Sequence, residues 1–309
     1  MSPTHTRLLR GTAVVGMLIL LAAIGAWMLQ ASIPRTITIA TGPAGSQYSA
    51  FAARYRATLA RDGVTLVERG SKGVAENARL IADPGSGVDV AFMHGGVMRK
   101  PDRVVMLAAL YYEPLWVFTR GPRTLDRLDE LRYRKIAIGH PEEGVKPFIE
   151  PLLAANNLTG FNTTLDPIGG VEALRALQQG RVDAAMFVGG VHAPAIFQAL
   201  HDRDLKLMNF RRAAAYQRRF DHITRLVLPM GVVDFGLDLP PEDVTLISTE
   251  AMLVARDDLP PALINLLLEA AAVRIRVPAS HASEAYTLRE HVALVRRAID
   301  VRQQVTGNR

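Results

Sequence analysis

The sequence predicts an α/β protein built from two lobes and preceded by a single transmembrane helix. Three observations predict this architecture. An uncharged apolar stretch lies near the amino terminus, strand-like and helix-like segments alternate along the rest of the chain, and one pattern of aspartate and paired glycines occurs twice. The chain has 309 residues, of which 49% are hydrophobic, so it is long enough to form two cores.

The amino-terminal stretch predicts a membrane anchor. Residues 11–34 carry no charge, and their core at 13–29 reads AVVGMLILLAAIGAWML, which suits a bilayer-spanning helix. Arg7 and Arg10 precede it, so the amino terminus is expected in the cytoplasm and the main domain outside. A cleavable signal peptide is the alternative, and it also exports the chain. We therefore expect residues 1–34 to be a basic stub and signal-anchor in a bacterial inner membrane, with the main domain in the periplasm.

The first exported unit reads as strands alternating with helices. The segment TITIA alternates β-branched residues and runs into a glycine-containing turn at 41–46. A β-α-β-α-β order predicts a parallel sheet with helices on its faces. The predicted elements are strands at 36–40, 64–68 and 88–93, and helices at 47–60 and 74–82.

The same design occurs again further along the chain. Asp89 precedes Gly95-Gly96-Val97, and Asp183 precedes Gly189-Gly190-Val191 at the same offset. This repeat predicts a second lobe that resembles the first. Its predicted elements are strands at 135–139 and 183–188, and helices at 145–156 and 171–179.

Two apolar segments predict the connections between the lobes. A strand at 114–119 would carry the chain into lobe 2, and one at 224–233 would return it to lobe 1. Lobe 1 is thus expected to contain residues 35–118 and 230–309, and lobe 2 residues 119–229. The remaining predicted elements are a strand at 245–255, an apolar helix at 260–276 and an amphipathic helix at 284–302.

Composition and motifs argue against several classes of protein. The chain has no cysteine, which excludes disulfides and thiolate chemistry. It lacks the G-x-S-x-G, S-x-x-K and H-E-x-x-H motifs and the phosphate-binding glycine loop, and its eight histidines show no metal-ligand spacing. The net charge of +6 comes from dispersed residues without interleaved aromatics. We expect no enzyme activity, no cofactor, no metal and no nucleic-acid partner.

The turns that follow the strands are the expected ligand-binding positions. In open α/β sheets ligands bind beyond the carboxyl ends of the strands, where helix N-termini attract anions. A solvated lysine, a hydrogen-bonded loop histidine and ordinary connecting glycines are the alternative interpretations. The candidate ligand-binding residues are Thr41, Gly42, Gly45, Ser46, Tyr48, Ser71, Lys72, Gly73, His94 and, in lobe 2, Glu143.

Four segments, in order along residues 37–259, resemble the TAXI family of TRAP-transporter solute-binding proteins. Each segment alone is a weak indicator of the family, whereas the four segments in this order are a more specific one. The segments are IATGPAG at 39–45 with Tyr48, VAEN at 74–77 with VDVAF at 88–92, LYYEPL at 110–115, and QGRVDA at 179–184.

The resemblance implies a type II periplasmic-binding-protein-like fold that closes on a small organic anion or amino acid. It also implies an integral membrane permease driven by an ion gradient. A membrane-tethered sensor or adaptor, and the binding protein of an ATP-driven importer, are alternatives on the same fold.

Three departures from the family pattern affect the expected site. Ser46 replaces a glycine, 71–74 reads SKGV where the family has T-G-G-S, and Glu143-Gly144-Val145 replaces S-G-T. Hydroxyl groups are lost and a carboxylate is gained. Glu143 would favour a ligand with a cationic group, or the lobe-2 turn has another use.

Overall fold

The computed structural model describes residues 16–21, 34–98 and 103–273. Across those ranges no helix has both the length and the hydropathy needed to cross a bilayer. Of the predicted anchor segment at 1–34, the structure describes residues 16–21, which are helical, and residue 34. The remainder of the anchor, the predicted helix at 284–302 and the end of the helix at 260–276 lie outside the described residues.

Ten strands and seven helices of more than six residues organise the part of the chain from 34 to 273 that is described. The strands are β1 (Thr36–Ala40), β2 (Thr65–Arg69), β3 (Val90–His94), β4 (Val104–Arg120), β5 (Lys135–Ala137), β6 (Thr164–Asp166), β7 (Ala184–Val188), β8 (Leu205–Leu207), β9 (Thr224–Leu228) and β10 (Val244–Arg256). The helices are α1 (Gln47–Leu59), α2 (Val74–Ala82), α3 (Val145–Ala155), α4 (Gly170–Gln178), α5 (Pro194–Leu200), α6 (Ala213–Arg219) and α7 (Pro261–Val273).

Lobe 1 contains the predicted parallel unit. β1 lies between β2 and β3 and pairs in parallel with both, while β10 adds an antiparallel strand beside β3. The core is closed by α1, α2 and α7 and includes the fully buried Phe92, Tyr55 and Leu267. Asn77 on α2 donates its amide to the carbonyl of Phe92 at 2.9 Å, which fixes this helix against the end of β3.

Lobe 2 has the same parallel arrangement. β5 lies between β6 and β7 and pairs in parallel with both, and β7 pairs antiparallel with β4. Its core includes Trp116, Phe118 and Phe148, all nearly or fully buried. The sheet is therefore mixed, because the strands that join the lobes run antiparallel to their neighbours.

The repeated aspartates perform the same task in each lobe. Asp89 accepts a hydrogen bond from the backbone N–H of Thr38 on β1 at 2.8 Å. Asp183 accepts one from the backbone N–H of Lys135 on β5, also at 2.8 Å. Asp89, just before β3, therefore holds the start of β3 against β1, and Asp183, just before β7, holds the start of β7 against β5. This shared role gives the sequence repeat a structural cause.

Two long strands, β4 and β10, run antiparallel through both lobes and form the hinge. The core residues change from one cluster to the other between Tyr111 and Leu115 on β4, and between Ile247 and Ala251 on β10. The clusters thus place residues 115–118 and 244–247 in lobe 2, which differs from the division expected at 118 and 230.

The predicted return strand at 224–233 is wrong in its role. β9 ends at Leu228 and pairs with residues 244–248 of β10, so it stays within lobe 2. The strand that carries the chain back to lobe 1 is β10. Both segments are apolar and β-branched, so composition alone does not distinguish a connecting strand from its partner.

Candidate ligand-binding cavity between the lobes

A cavity of about 540 Å³ lies between the lobes, beside the hinge strands. Lobe 1 contributes the first turns of α1, β4 contributes its hinge segment, and lobe 2 contributes β9 and the loop that follows β7. This volume falls within the range of small-molecule sites. Most of the lining is apolar and includes Phe51, Leu110, Trp116, Val191, Leu226 and Val233.

The turn after β1 directs the start of α1 at this cavity. Gly45 has a φ of +77°, which glycine adopts readily. Ser46 then caps α1, because its hydroxyl accepts the backbone N–H of Ser49 at 3.3 Å. Tyr48 stacks on Phe92 with 5.3 Å between the ring centroids, so its hydroxyl is held toward the hinge.

Glu113 places a buried carboxyl group in the cavity wall. It is 6% exposed and accepts a hydrogen bond from the hydroxyl of Tyr48 at 2.7 Å. Burial raises the pKa of Glu113 to about 7, although hydrogen bonds from Tyr48 and Tyr111 act to lower it. Burial and the neighbouring Glu113 raise the pKa of Tyr48, which keeps its hydroxyl protonated as a donor.

Trp116 connects the hinge to the lobe-2 wall. Its indole N–H donates to the carbonyl of Gly189 at 2.8 Å, and the ring is 1% exposed. The loop after β7 is therefore held against β4, and the indole forms part of the cavity surface.

Outside the cavity, the two lobes touch each other directly. The backbone N–H of Ala75 on α2 donates to the carbonyl of Glu142 at 3.1 Å. Arg79 pairs with the Glu142 carboxylate at 2.7 Å. Gly73 has a φ of +147°, and a Cβ atom there would lie 2.3 Å from the Glu142 carbonyl oxygen. Gly73 therefore permits two backbones to meet at this interlobe contact.

His94 lies buried within the same interface. Its Nδ1 is 3.0 Å from the carbonyl of Gly95, and since a carbonyl only accepts, the proton lies on Nδ1. A backbone hydrogen bond with Glu143 also acts on the imidazole ring, and a Cβ atom on Gly144 would lie 2.9 Å from Nε2. Burial lowers the pKa of His94 to about 4, aided by His222, while the Gly95 carbonyl acts to raise it. His94 is therefore neutral at pH 7.

Glu143 lies in the lobe-2 turn that was a candidate for ligand binding. Its carboxylate accepts the backbone N–H of His140 at 3.2 Å. A Cβ atom on Gly169 would lie 2.4 Å from one carboxylate oxygen, and a Cβ on Gly139 would lie 2.8 Å from the same oxygen. Burial raises the pKa of Glu143, and the charge of His140 acts to lower it. The side chain thus occupies the space at the start of α4.

The ten candidate residues fall into separate places. Gly45, Ser46 and Tyr48 line the cavity. Gly73, His94 and Glu143 lie in or beside the interlobe contact, as described above. Of the other four, Thr41 and Gly42 are buried, with Thr41 2% exposed. The hydroxyl of Ser71 donates to the side-chain oxygen of Asn77 at 2.5 Å. Lys72 is exposed to solvent.

The ligand-binding residues predicted from the sequence did not include Glu113, Trp116 or the part of the cavity lining formed by β9 and the loop after β7. One signal was available in the sequence, because Glu113 precedes a proline inside an apolar strand, where a charged side chain is unusual. The repeated Gly189-Gly190-Val191 also marked the loop after β7 as the counterpart of Gly95-Gly96-Val97.

Glu113 and His94 predict opposite effects of pH on the free energy of unfolding. The pKa of Glu113 rises from 4.5 to about 7 on folding, so the folded state binds more protons in this window. Stability therefore falls as pH rises from 4.5 to about 7. The pKa of His94 falls from 6.5 to about 4, so the unfolded state binds more protons, and stability falls as pH drops from 6.5 to about 4. Each effect is about 3 kcal/mol.

Urea unfolding of the full chain between pH 4 and pH 7.5 measures both effects. Relative to the unmodified chain, Glu113→Gln should gain stability as pH rises, because Glu113 no longer opposes the effect of His94, and His94→Asn should show the reverse change. Glu172→Gln removes an exposed carboxyl and should match the unmodified chain. Identical profiles for the three variants would contradict the assignment of these two groups.

The fold and the cavity define a two-lobed chain of the periplasmic-binding-protein-like class. The chain belongs to the NMT1-like family, whose sequence profile matches residues 39–272. No curated protein matches it.

Three solved structures with the same fold illustrate the class. A protein from Bordetella bronchiseptica RB50 is 16% identical, with a TM-score of 0.54 over 86% of this chain and 82% of its own. A chain assigned as the periplasmic sulfonate-binding protein SsuA of Methylobacillus flagellatus KT is 15% identical, with a TM-score of 0.51 over 86% of this chain and 77% of its own. The effector-binding domain of QuiR in complex with shikimate is 9% identical, with a TM-score of 0.50 over 78% and 96%. At these identities the likeness shows the fold.

Proposed function

We propose that this chain is the extracytoplasmic solute-binding component of a membrane transporter. The observation that carries the proposal is the cavity enclosed by both lobes beside the two hinge strands. A solute there contacts α1 and the Glu113 region on one side and the loop after β7 on the other. Such contacts exist only when the lobes are together, so binding favours the closed state.

The proposal extends to the transporter type and to the membrane. The four segments that resemble TRAP-type solute-binding proteins support an ion-gradient-driven permease as the partner. The uncharged residues 11–34 support a tether that keeps the main domain at the outer face of the inner membrane. The solved structures support solute capture, since one is assigned as a sulfonate-binding protein and another holds shikimate. No feature of the described residues calls for an enzyme activity.

Cross-linking of the full chain in its native membrane, followed by mass spectrometry, tests the partner. We expect cross-links from both lobes to a multi-span permease. Residues 1–34 fused to an unrelated periplasmic domain serve as the control for cross-links made by the tether alone. A histidine kinase in place of the permease would favour the sensor alternative, and a permease with nucleotide-binding subunits would favour an ATP-driven importer.

A further inference from the structure

We infer that the interlobe cavity takes a ligand with an apolar body and a positively charged amine, the amine lying against Glu113. This inference rests on the proposed function and names the class of solute. It departs from the small organic anion or amino acid that the sequence resemblance implies.

The wall of the cavity contains a buried acidic group. Glu113 is the one acidic side chain among the described residues that line the cavity. The factors that shift its pKa are burial and two tyrosine hydroxyls, and no cation contributes. Two hydroxyl donors leave acceptor positions on the carboxylate unused. Burial keeps this carboxyl group partly protonated near pH 7, and a ligand amine would stabilise its ionised form by pairing with it.

The lining also contains two basic side chains, Arg54 and His192. Both are exposed to solvent, so they lie at the rim of the cavity rather than beside the buried carboxyl group. The guanidinium of Arg54 lies over the ring of Phe51 at 5.8 Å from its centroid, which directs that charge to another group. Neither therefore supplies the counter-charge for Glu113 in the cavity.

The lobe-2 turn is a poor place for an anionic ligand group. Glu143 occupies the space above Gly139 and Gly169, and a second carboxylate there would meet like charge at close range. The interlobe contact at Glu142 closes the neighbouring space with backbone atoms. Of Glu113, Glu142 and Glu143, Glu113 is therefore the one that lines the cavity.

The lining of the cavity suits a ligand with an apolar body. The cavity that Glu113 lines is also formed by apolar side chains such as Phe51, Leu110, Trp116 and Val233, which favour an aromatic or aliphatic group. An apolar group that displaces water from these side chains would supply most of the affinity, and the amine would supply the orientation.

Fluorescence of Trp116 provides a direct test in the full chain. The sequence has two tryptophans, Trp27 and Trp116, so Trp27→Phe leaves a single reporter in the cavity wall. Three probes share a phenyl body and differ in charge: phenethylamine, 2-phenylethanol and 3-phenylpropionate. We expect phenethylamine to bind at least tenfold more tightly than the other two.

Glu113→Gln in the same background should reduce the affinity for phenethylamine at least tenfold and leave 2-phenylethanol unchanged. Glu172→Gln, which removes an exposed carboxyl outside the lining, is the matched control. If the variant does not fold, Glu113→Asp and the three probes on the unmodified site still decide the question. Equal or tighter binding of 3-phenylpropionate, unchanged amine affinity in Glu113→Gln, or no response to any probe would overturn the inference. The 3-phenylpropionate result and the Glu113→Gln result would leave the proposed solute binding intact. If no probe gives a response, a wider ligand panel decides whether the proposed function also fails.

Discussion

Replacement of Gly73 with alanine is expected to separate the lobes at the interlobe contact. Gly73 adopts φ +147° and ψ −169°, a conformation essentially restricted to glycine, and its new Cβ would lie 2.3 Å from the Glu142 carbonyl oxygen. The backbone strain and the clash together should lower the free energy of unfolding by more than about 2 kcal/mol. Relief requires the hydrogen bond from Ala75 to Glu142 to break, so amide exchange at Ala75, measured by hydrogen–deuterium exchange of the full chain, should accelerate.

Gly121→Ala is the matched control for that experiment. Gly121 also has a strongly positive φ, of +124°, but a Cβ atom there has no neighbour within 4 Å. This variant should lose stability through strain alone and keep the amide of Ala75 protected. If Gly73→Ala leaves exchange at Ala75 and at residues 140–144 unchanged, the two backbones do not meet as described.

Local sequence patterns predicted the elements of each lobe well. β1 and α2 have the expected boundaries, and the β-α-β-α-β order of lobe 1 is confirmed. Strand alternation, glycine turns and helix caps act within a few residues, so a single sequence contains them in full. The capping serine at position 46, followed by a helix, is one such case.

The hinge depends on features that a local pattern does not contain. β4 begins at Val104 and continues through Pro114, whereas the predicted strand began at that proline. Proline normally interrupts a central strand, but Pro114 lies where β4 passes from one lobe to the other, opposite Ser248 of β10. The three-residue strands β6 and β8 are too short to show a period.

The candidate site required knowledge of how the lobes meet. The turns after the strands were reasonable positions for a ligand, but the lobe-2 turn at 140–144 contacts α2 and places Glu143 over two glycines. The contacts with α2 join residues more than 60 positions apart, such as Ala75 and Glu142. Sequence indicated that Glu143 was unusual, and only the three-dimensional arrangement showed that its carboxylate lies over Gly139 and Gly169.

Filling the cavity is expected to abolish solute binding. Ala50 is exposed on α1 and lines the cavity, so Ala50→Trp would place an indole within the binding space without burying a new group in either core. We expect at least a hundredfold loss of affinity, or about 2.7 kcal/mol of binding free energy. Ala57→Trp introduces the same side chain at an exposed position of α1 outside the lining, and it should bind as the unmodified chain does.

A thermal-shift panel with these two variants tests the central claim that the interlobe cavity is a solute-binding site. The full chain would be screened against amines, amino acids, dicarboxylates, 2-oxo acids and sulfonates. A ligand at a hundred times its dissociation constant stabilises the folded state by about 2.7 kcal/mol. We expect stabilisation by one class of solute in the unmodified chain and in Ala57→Trp, and none in Ala50→Trp. Equal stabilisation of all three proteins, or no stabilisation of a well-folded chain by any class, would contradict it.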